Sequence, residues 1–78
     1  MMNVIDPAFI RMKTEKDELA HKVKKLEEFT RSARLGELPE NLINHSELQL
    51  LEEQLHYMRG YLRVLNARIQ RVEDQNSV

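Results

Sequence analysis

Apolar residues recur along the second half of the chain at Leu48, Leu51, Leu55, Met58, Leu62, Leu65, Ile69 and Val72, at alternating spacings of three and four. At about 3.6 residues per turn these positions fall on one stripe of a helix. A helix carrying such a stripe is marginal alone in water and must lie against a partner. The first half of the chain supplies one. Phe9, Met12, Leu19, Val23, Leu26 and Ala33 follow a similar seam, widened by Ile10 and Phe29 and interrupted by the polar residues Lys16 and Thr30. Two seams of near-equal length in one short chain predict an antiparallel two-helix hairpin with the stripes face to face.

The punctuation between the seams fits this fold. Asp6-Pro7 joins an N-cap residue to a proline whose missing N–H costs nothing in a first helical turn. Gly36 suits a left-handed C-terminal position, and Arg31 and Arg34 complement the dipole of the turn before it. Pro39 blocks direct continuation, and a single helical turn is expected at 39–42. Leu42 and Ile43 are expected to close that end of the core. Ser46, with Gln49 three residues later, has the form of a capping box. The expected division is a short leader at 1–5, helix one at 6–35, a connection at 36–45, helix two at 46–73 and a loose polar tail at 74–78, all in one domain. Met2, Val4 and Ile5 make the leader apolar enough to tuck against a neighbour.

Composition narrows the class. A chain of 78 residues has few resources for a core, and such small domains are usually reinforced by disulfides, a metal or oligomerisation. There is no cysteine, which excludes disulfides and thiolate zinc sites and leaves oligomerisation. Helix two also carries apolar residues beside its seam, and one partner helix does not cover both flanks. The expected all-α architecture is therefore a hairpin assembling into a homo-oligomeric bundle, a four-helix dimer or a larger ring. Leu50, Tyr57, Gly60, Tyr61 and Val64 form the expected oligomer interface. Twelve basic and thirteen acidic residues give a net charge of −1, which counts against nucleic acid as a partner. No run is apolar enough to span a membrane, and the N-terminal stretch lacks signal-peptide character, so a cytoplasmic location is expected.

The candidate chemistry is sparse. Glu53-x-x-His56 resembles the half-site of a carboxylate-bridged di-metal bundle, but it occurs once and the seam turns both residues outward. No nucleophile–base set, phosphate loop or inward carboxylate pair is present, so neither an enzyme nor a metal or other cofactor is expected. Lys16 has two readings: a snorkelling lysine that fixes register, or an anion ligand in a cleft between protomers. The most informative surface lies between Tyr57 and Arg71. Arg59, Arg63, Arg68 and Arg71 fall in a span without acidic residues, with Tyr57 and Tyr61 interleaved and Gly60 in the middle of the helix. Guanidinium groups grip phosphate and tyrosine rings stack on bases, so such a flank is able to hold a nucleotide. The plainer reading is dipole complementation by arginine and ordinary interface tyrosines.

Arg11-Met12, Glu15-Lys16, Glu18-Leu19, Lys22-Val23, Leu26 and Phe29, followed by Leu50-Leu51, Gln54-Leu55, Met58, Tyr61, Leu65 and Arg68-Ile69, resemble a family of short helical proteins of crAss-like phages. The likeness spans nearly the whole chain. More loosely, the chain is similar to the helical-hairpin phage proteins that sequester cyclic-nucleotide immune signals, the anti-CBASS and anti-Thoeris sponges, in size, hairpin form and use of Tyr, Lys and Arg at protomer junctions. What this implies is a phage-encoded sponge, acting in the cytoplasm of an infected bacterial host, that holds a nucleotide-type signal between protomers and counters host defence. The ligand set expected for such a site is Arg11 and Lys16 on phosphates, Tyr61 with Tyr57 on a base, and Arg63 or Arg68 completing the phosphate contact. The alternative is a structural or protein-interaction bundle that binds a host or phage protein through a helix face.

Overall fold

A computed structural model describes residues 2–39 and 41–77. Two helices, α1 (Pro7–Arg34) and α2 (His45–Asn76), form a hairpin, and no strand occurs among the described residues. The molecule is a rod of 54 × 17 × 15 Å. Its helices run antiparallel, since the end of α1 meets the start of α2 through Arg34 and Glu52, while Glu15 meets Tyr61 and Met2 meets Asn76 at the far end. No helix among the described residues is long and apolar enough to cross a membrane.

The seams face each other as the spacing requires. Leu48, Leu55, Leu65, Ile69 and Val72 of α2 are buried, as are Phe9, Met12 and Val23 of α1. Phe9, Met12, Leu65, Ile69 and Val72 form one cluster, with Met2 and Leu19 packed against it. The tightest packing therefore lies at the end of the rod away from the connection. The polar seam residue Thr30 is buried, and its hydroxyl donates back to the Leu26 carbonyl at 2.9 Å, with that of Glu27 at 3.2 Å. This return bond satisfies the group locally, so it needs no partner on α2.

The helix ends show how local chemistry decides boundaries. Asp6 is the N-cap of α1, but its carboxylate makes no capping bond; one of its oxygens instead accepts from the Asn3 N–H at 3.4 Å. Gly36 adopts φ = 71°. The Glu37 N–H reaches the Ser32 carbonyl at 2.9 Å and the Gly36 N–H reaches that of Ala33 at 3.2 Å. Those two bonds are the Schellman closure, which needs a left-handed residue at the Gly36 position. The cap of α2 is Asn44, not Ser46. The Asn44 Oδ1 accepts from the Glu47 N–H at 2.8 Å, and its Nδ2 donates to the Glu47 carboxylate, also at 2.8 Å. Asparagine caps at least as well as serine, and this reciprocal pair satisfies two groups at once, so the helix starts one residue earlier than expected.

The other end of α2 also differs. The helix continues to Asn76 instead of ending near Glu73. Gln70 donates to Asp74 one turn on, and Asn76 donates to the carbonyls of Val72 (2.7 Å) and Met2 (3.2 Å). These bonds tie the last turn to the leader, so residues 74–76 are helix and not a loose tail. Met2 packs on the core, whereas Ile5 stays largely exposed. At 39–42 the Leu42 N–H meets the Pro39 carbonyl at 3.0 Å, a turn in place of the expected helical one; Glu40 lies outside the described residues.

Candidate functional site

The candidate residues divide between the two long edges of the rod. One edge is marked by Tyr61, whose hydroxyl donates to the Glu15 carboxylate across the helix pair. Arg11 lies one turn before Glu15 on the same face of α1. Arg68 is close enough to Tyr61 for its charge to be felt at the hydroxyl. The Tyr61 phenol is held above its ordinary pKa, first by the hydrogen bond to Glu15, then by partial burial and the Glu15 charge, with Arg68 opposing. Tyr57 is one turn before Tyr61, and the two rings line an open groove of about 590 Å³ with Leu50, Glu53, Gln54 and Met58.

The opposite edge is built from ion pairs. Arg34 grips Glu52 with two bonds, its Nε at 2.9 Å and its Nη2 at 2.5 Å. The pair holds the Glu52 carboxyl below the usual value, chiefly through the hydrogen bond to Arg34. Arg59 reaches Glu27 at 3.4 Å. Arg63, two residues from Tyr61 and so about 200° around the helix, lines a hollow with Arg59, Leu62, Asn66, Val23 and Glu27. Lys16 is half-buried at the seam, and its ammonium lies 2.9 Å from Asp17, which is about 200° around α1 from Glu15.

Of the six candidate ligand residues, then, Arg11, Tyr57, Tyr61 and Arg68 share an edge, while Lys16 and Arg63 lean to the other. Among the described residues, Arg11, Arg63 and Arg68 have no carboxylate within ion-pair distance; Lys16 already has one. The residue that sequence reasoning underweighted is Glu15. It sits beside the seam one turn from Arg11, and that spacing was the available signal.

The five candidate interface residues are all exposed: Leu50 and Tyr57 at 66%, Tyr61 at 45% and Val64 at 42% of their full areas, with Gly60 beside them. Gly60 lines a second hollow with His56, Tyr57, Arg59, Arg63 and Val64. A methyl group added at Gly60 would meet nothing within 4 Å, so the hairpin itself does not require a glycine there. Glu53 and His56 face outward, and the His56 ring packs edge-on against Tyr57 at 5.4 Å. No group of three or more metal-ligating side chains converges among the described residues.

These features define a class: a small helical hairpin with one satisfied seam and one uncovered flank, on which aromatic rings and unpaired guanidinium groups share an edge. The chain belongs to the Sequestin family, whose sequence model matches residues 6–71 and so takes in both helices nearly whole. The family name points to sequestration, a binding role. Neither the curated proteins nor the solved structures contain a match to this chain.

Proposed function

We propose that this protein is a phage-encoded sponge that binds a small anionic nucleotide signal between protomers and holds it without chemistry, in the cytoplasm of the infected host, where it blunts a nucleotide-triggered defence. The observation that carries the proposal is the edge formed by Arg11, Tyr57, Tyr61 and Arg68. It offers two exposed rings for a base, and two guanidinium groups without carboxylate partners for phosphate. On that edge Glu15 is already engaged by the Tyr61 hydroxyl, while Glu53 borders the groove. Lys16 and Arg63 lie away from this edge, so within one hairpin they do not reach a ligand held there. The family name supports a sequestering role.

The test is calorimetry and thermal shift with cyclic dinucleotides, cyclic trinucleotides and cyclised ADP-ribose at low salt. Binding by one of these, abolished in Arg68→Ala and in Tyr61→Ala with the helical content unchanged, is the expected result. A flat response to the whole panel removes the nucleotide. The second reading, a bundle that binds a protein, is favoured by the groove lined by Leu50, Tyr57, Met58 and Tyr61, whose apolar lining suits the apolar face of a partner helix. A purified host or phage protein that binds one to one and is displaced by Tyr57→Glu would support it.

A further inference from the structure

The uncovered flank of α2 is a second heptad stripe. Glu47, Leu50, Gln54, Tyr57, Tyr61, Val64, Arg68 and Arg71 follow spacings of 3, 4, 3, 4, 3, 4, 3, the same rhythm as the buried seam. All eight are exposed. The series is symmetric about position 59. An antiparallel copy of the same stripe therefore sets Tyr57 opposite Tyr61, Gln54 opposite Val64, Leu50 opposite Arg68 and Glu47 opposite Arg71, each pair occurring twice.

We infer that α2 pairs antiparallel with α2 of a second copy along this stripe, in the register that joins Tyr57 to Tyr61 and Glu47 to Arg71, giving a two-fold dimer of hairpins. Three features fit a second copy better than another occupant. First, the two tyrosines lie at the centre of the stripe, so an antiparallel copy sets Tyr57 beside Tyr61 twice about the two-fold axis, the pairing of one patch with itself that an isologous contact requires.

Second, the stripe is self-complementary in charge. On this flank Glu47 and Glu53 precede the midpoint of α2 and Arg68 and Arg71 follow it, while Glu52 and Arg59 are engaged on the other edge. Antiparallel pairing sets the acidic half of one helix beside the basic half of the other; a parallel arrangement sets arginine beside arginine. Glu47 uses one carboxylate oxygen in the bond to Asn44, which leaves the other for Arg71. Third, Gly60 borders the stripe with open space around its α-carbon, and a helical glycine that the hairpin does not need lets a second backbone approach closely.

The inference rests on the self-association half of the proposed function and is independent of the ligand half. Its consequence for the site is direct. In this register Tyr61 of each copy meets Tyr57 of the other, so a base that stacks on either ring lies at the junction of the two copies.

The chain has no cysteine, so engineered thiols report the register cleanly. Gln54→Cys and Val64→Cys proteins are oxidised separately and mixed. The mixture is expected to give a disulfide heterodimer in high yield, and each protein alone little, because residue 54 of one copy lies about 15 Å along the axis from residue 54 of the other. Efficient self-linking of Gln54→Cys would mean a parallel pair and would overturn the register. Sedimentation of the native chain as a monomer at tens of micromolar would overturn the interface altogether. As a second arm, Arg71→Glu is expected to weaken dimerisation several-fold, and adding Glu47→Arg to restore it; no restoration in the double variant counts against the register. A dimer with this register that ignores every nucleotide would sink the ligand and leave the interface standing.

Discussion

The two glycines of this chain make opposite demands, and replacing each with alanine tests how the structure uses them. Gly36 has φ = 71°, where an L side chain is strained by about 1–2 kcal/mol. Gly60 lies inside α2, and an added methyl meets no atom within 4 Å. No steric cost offsets the helix-propensity gain, so Gly60→Ala is expected to stabilise the isolated hairpin by about 1 kcal/mol. For a domain of this size that amounts to a rise of about 4–8 °C in melting temperature, while Gly36→Ala should lower it by a similar amount or more. The assay is far-ultraviolet circular dichroism at a series of concentrations, paired with sedimentation velocity. At high dilution, where hairpins are separate, Gly60→Ala should melt above the native chain. As concentration rises the native chain should gain stability through dimerisation and the variant should gain less, because its methyl group stands where the second backbone approaches. A lower melting temperature for Gly60→Ala at high dilution would refute the claim that the hairpin leaves this position open. An equal gain at every concentration, with unchanged sedimentation, would refute its use in an interface.

Other outcomes follow from the core and the edges. Leu65 is fully buried, so Leu65→Ala should cost about 2–5 kcal/mol. That matches the whole stability available to so small a core, and chemical denaturation should find the variant largely unfolded without denaturant. Lys16→Leu should raise stability by about 1 kcal/mol by placing apolar surface at a half-buried seam position. The same variant should lose any nucleotide if Lys16 is a ligand and keep a protein partner if it is not. The Arg34–Glu52 pair holds the Glu52 carboxyl below its ordinary value of 4.5, so its contribution is present above that pH and fades as pH falls through the lowered value. The stability difference between the native chain and Glu52→Gln should therefore vanish under acid titration and be flat from pH 5 to 8; a difference that grew with acid would contradict the pairing.

The hairpin was legible because its cause is periodic. Eight seam residues in α2 and their counterparts in α1 specify two helices that must bury one stripe each, and Gly36 marks where the first must stop. What the periodicity did not carry were choices between near-equal local partners. Asn44 and Ser46 are both competent caps, and only the reciprocal bonds with Glu47 decide between them. Nothing in residues 73–76 prescribes an end to α2, and Asn76 extends it by reaching the leader, a contact more than seventy residues distant in sequence. The candidate site was legible in its residue types but not in its sorting. Tyr61 and Arg63 are only two apart and so lie on opposite edges, which helical geometry alone foretells. That Glu15 closes on Tyr61, and that Lys16 turns to Asp17, depends on the stagger between the helices and on a rotamer, and neither is written in the spacing.

The placement of the apolar cluster has a kinetic consequence. Phe9, Met12, Leu65, Ile69 and Val72 meet at the end of the rod farthest from the connection, so its largest hydrophobic gain requires closing the longest loop in the chain. Loop closure is entropically cheapest next to Gly36, where Arg34 and Glu52 stand only 18 positions apart. Assembly should then begin at the turn, with weak polar contacts, and proceed like a zipper toward the tight cluster, which forms last. Substitutions in that cluster should mainly hasten unfolding, and those beside the turn should mainly slow folding. The strongest packing in the molecule would thus act as a latch that sets how long the hairpin stays closed, with little say in how quickly it closes.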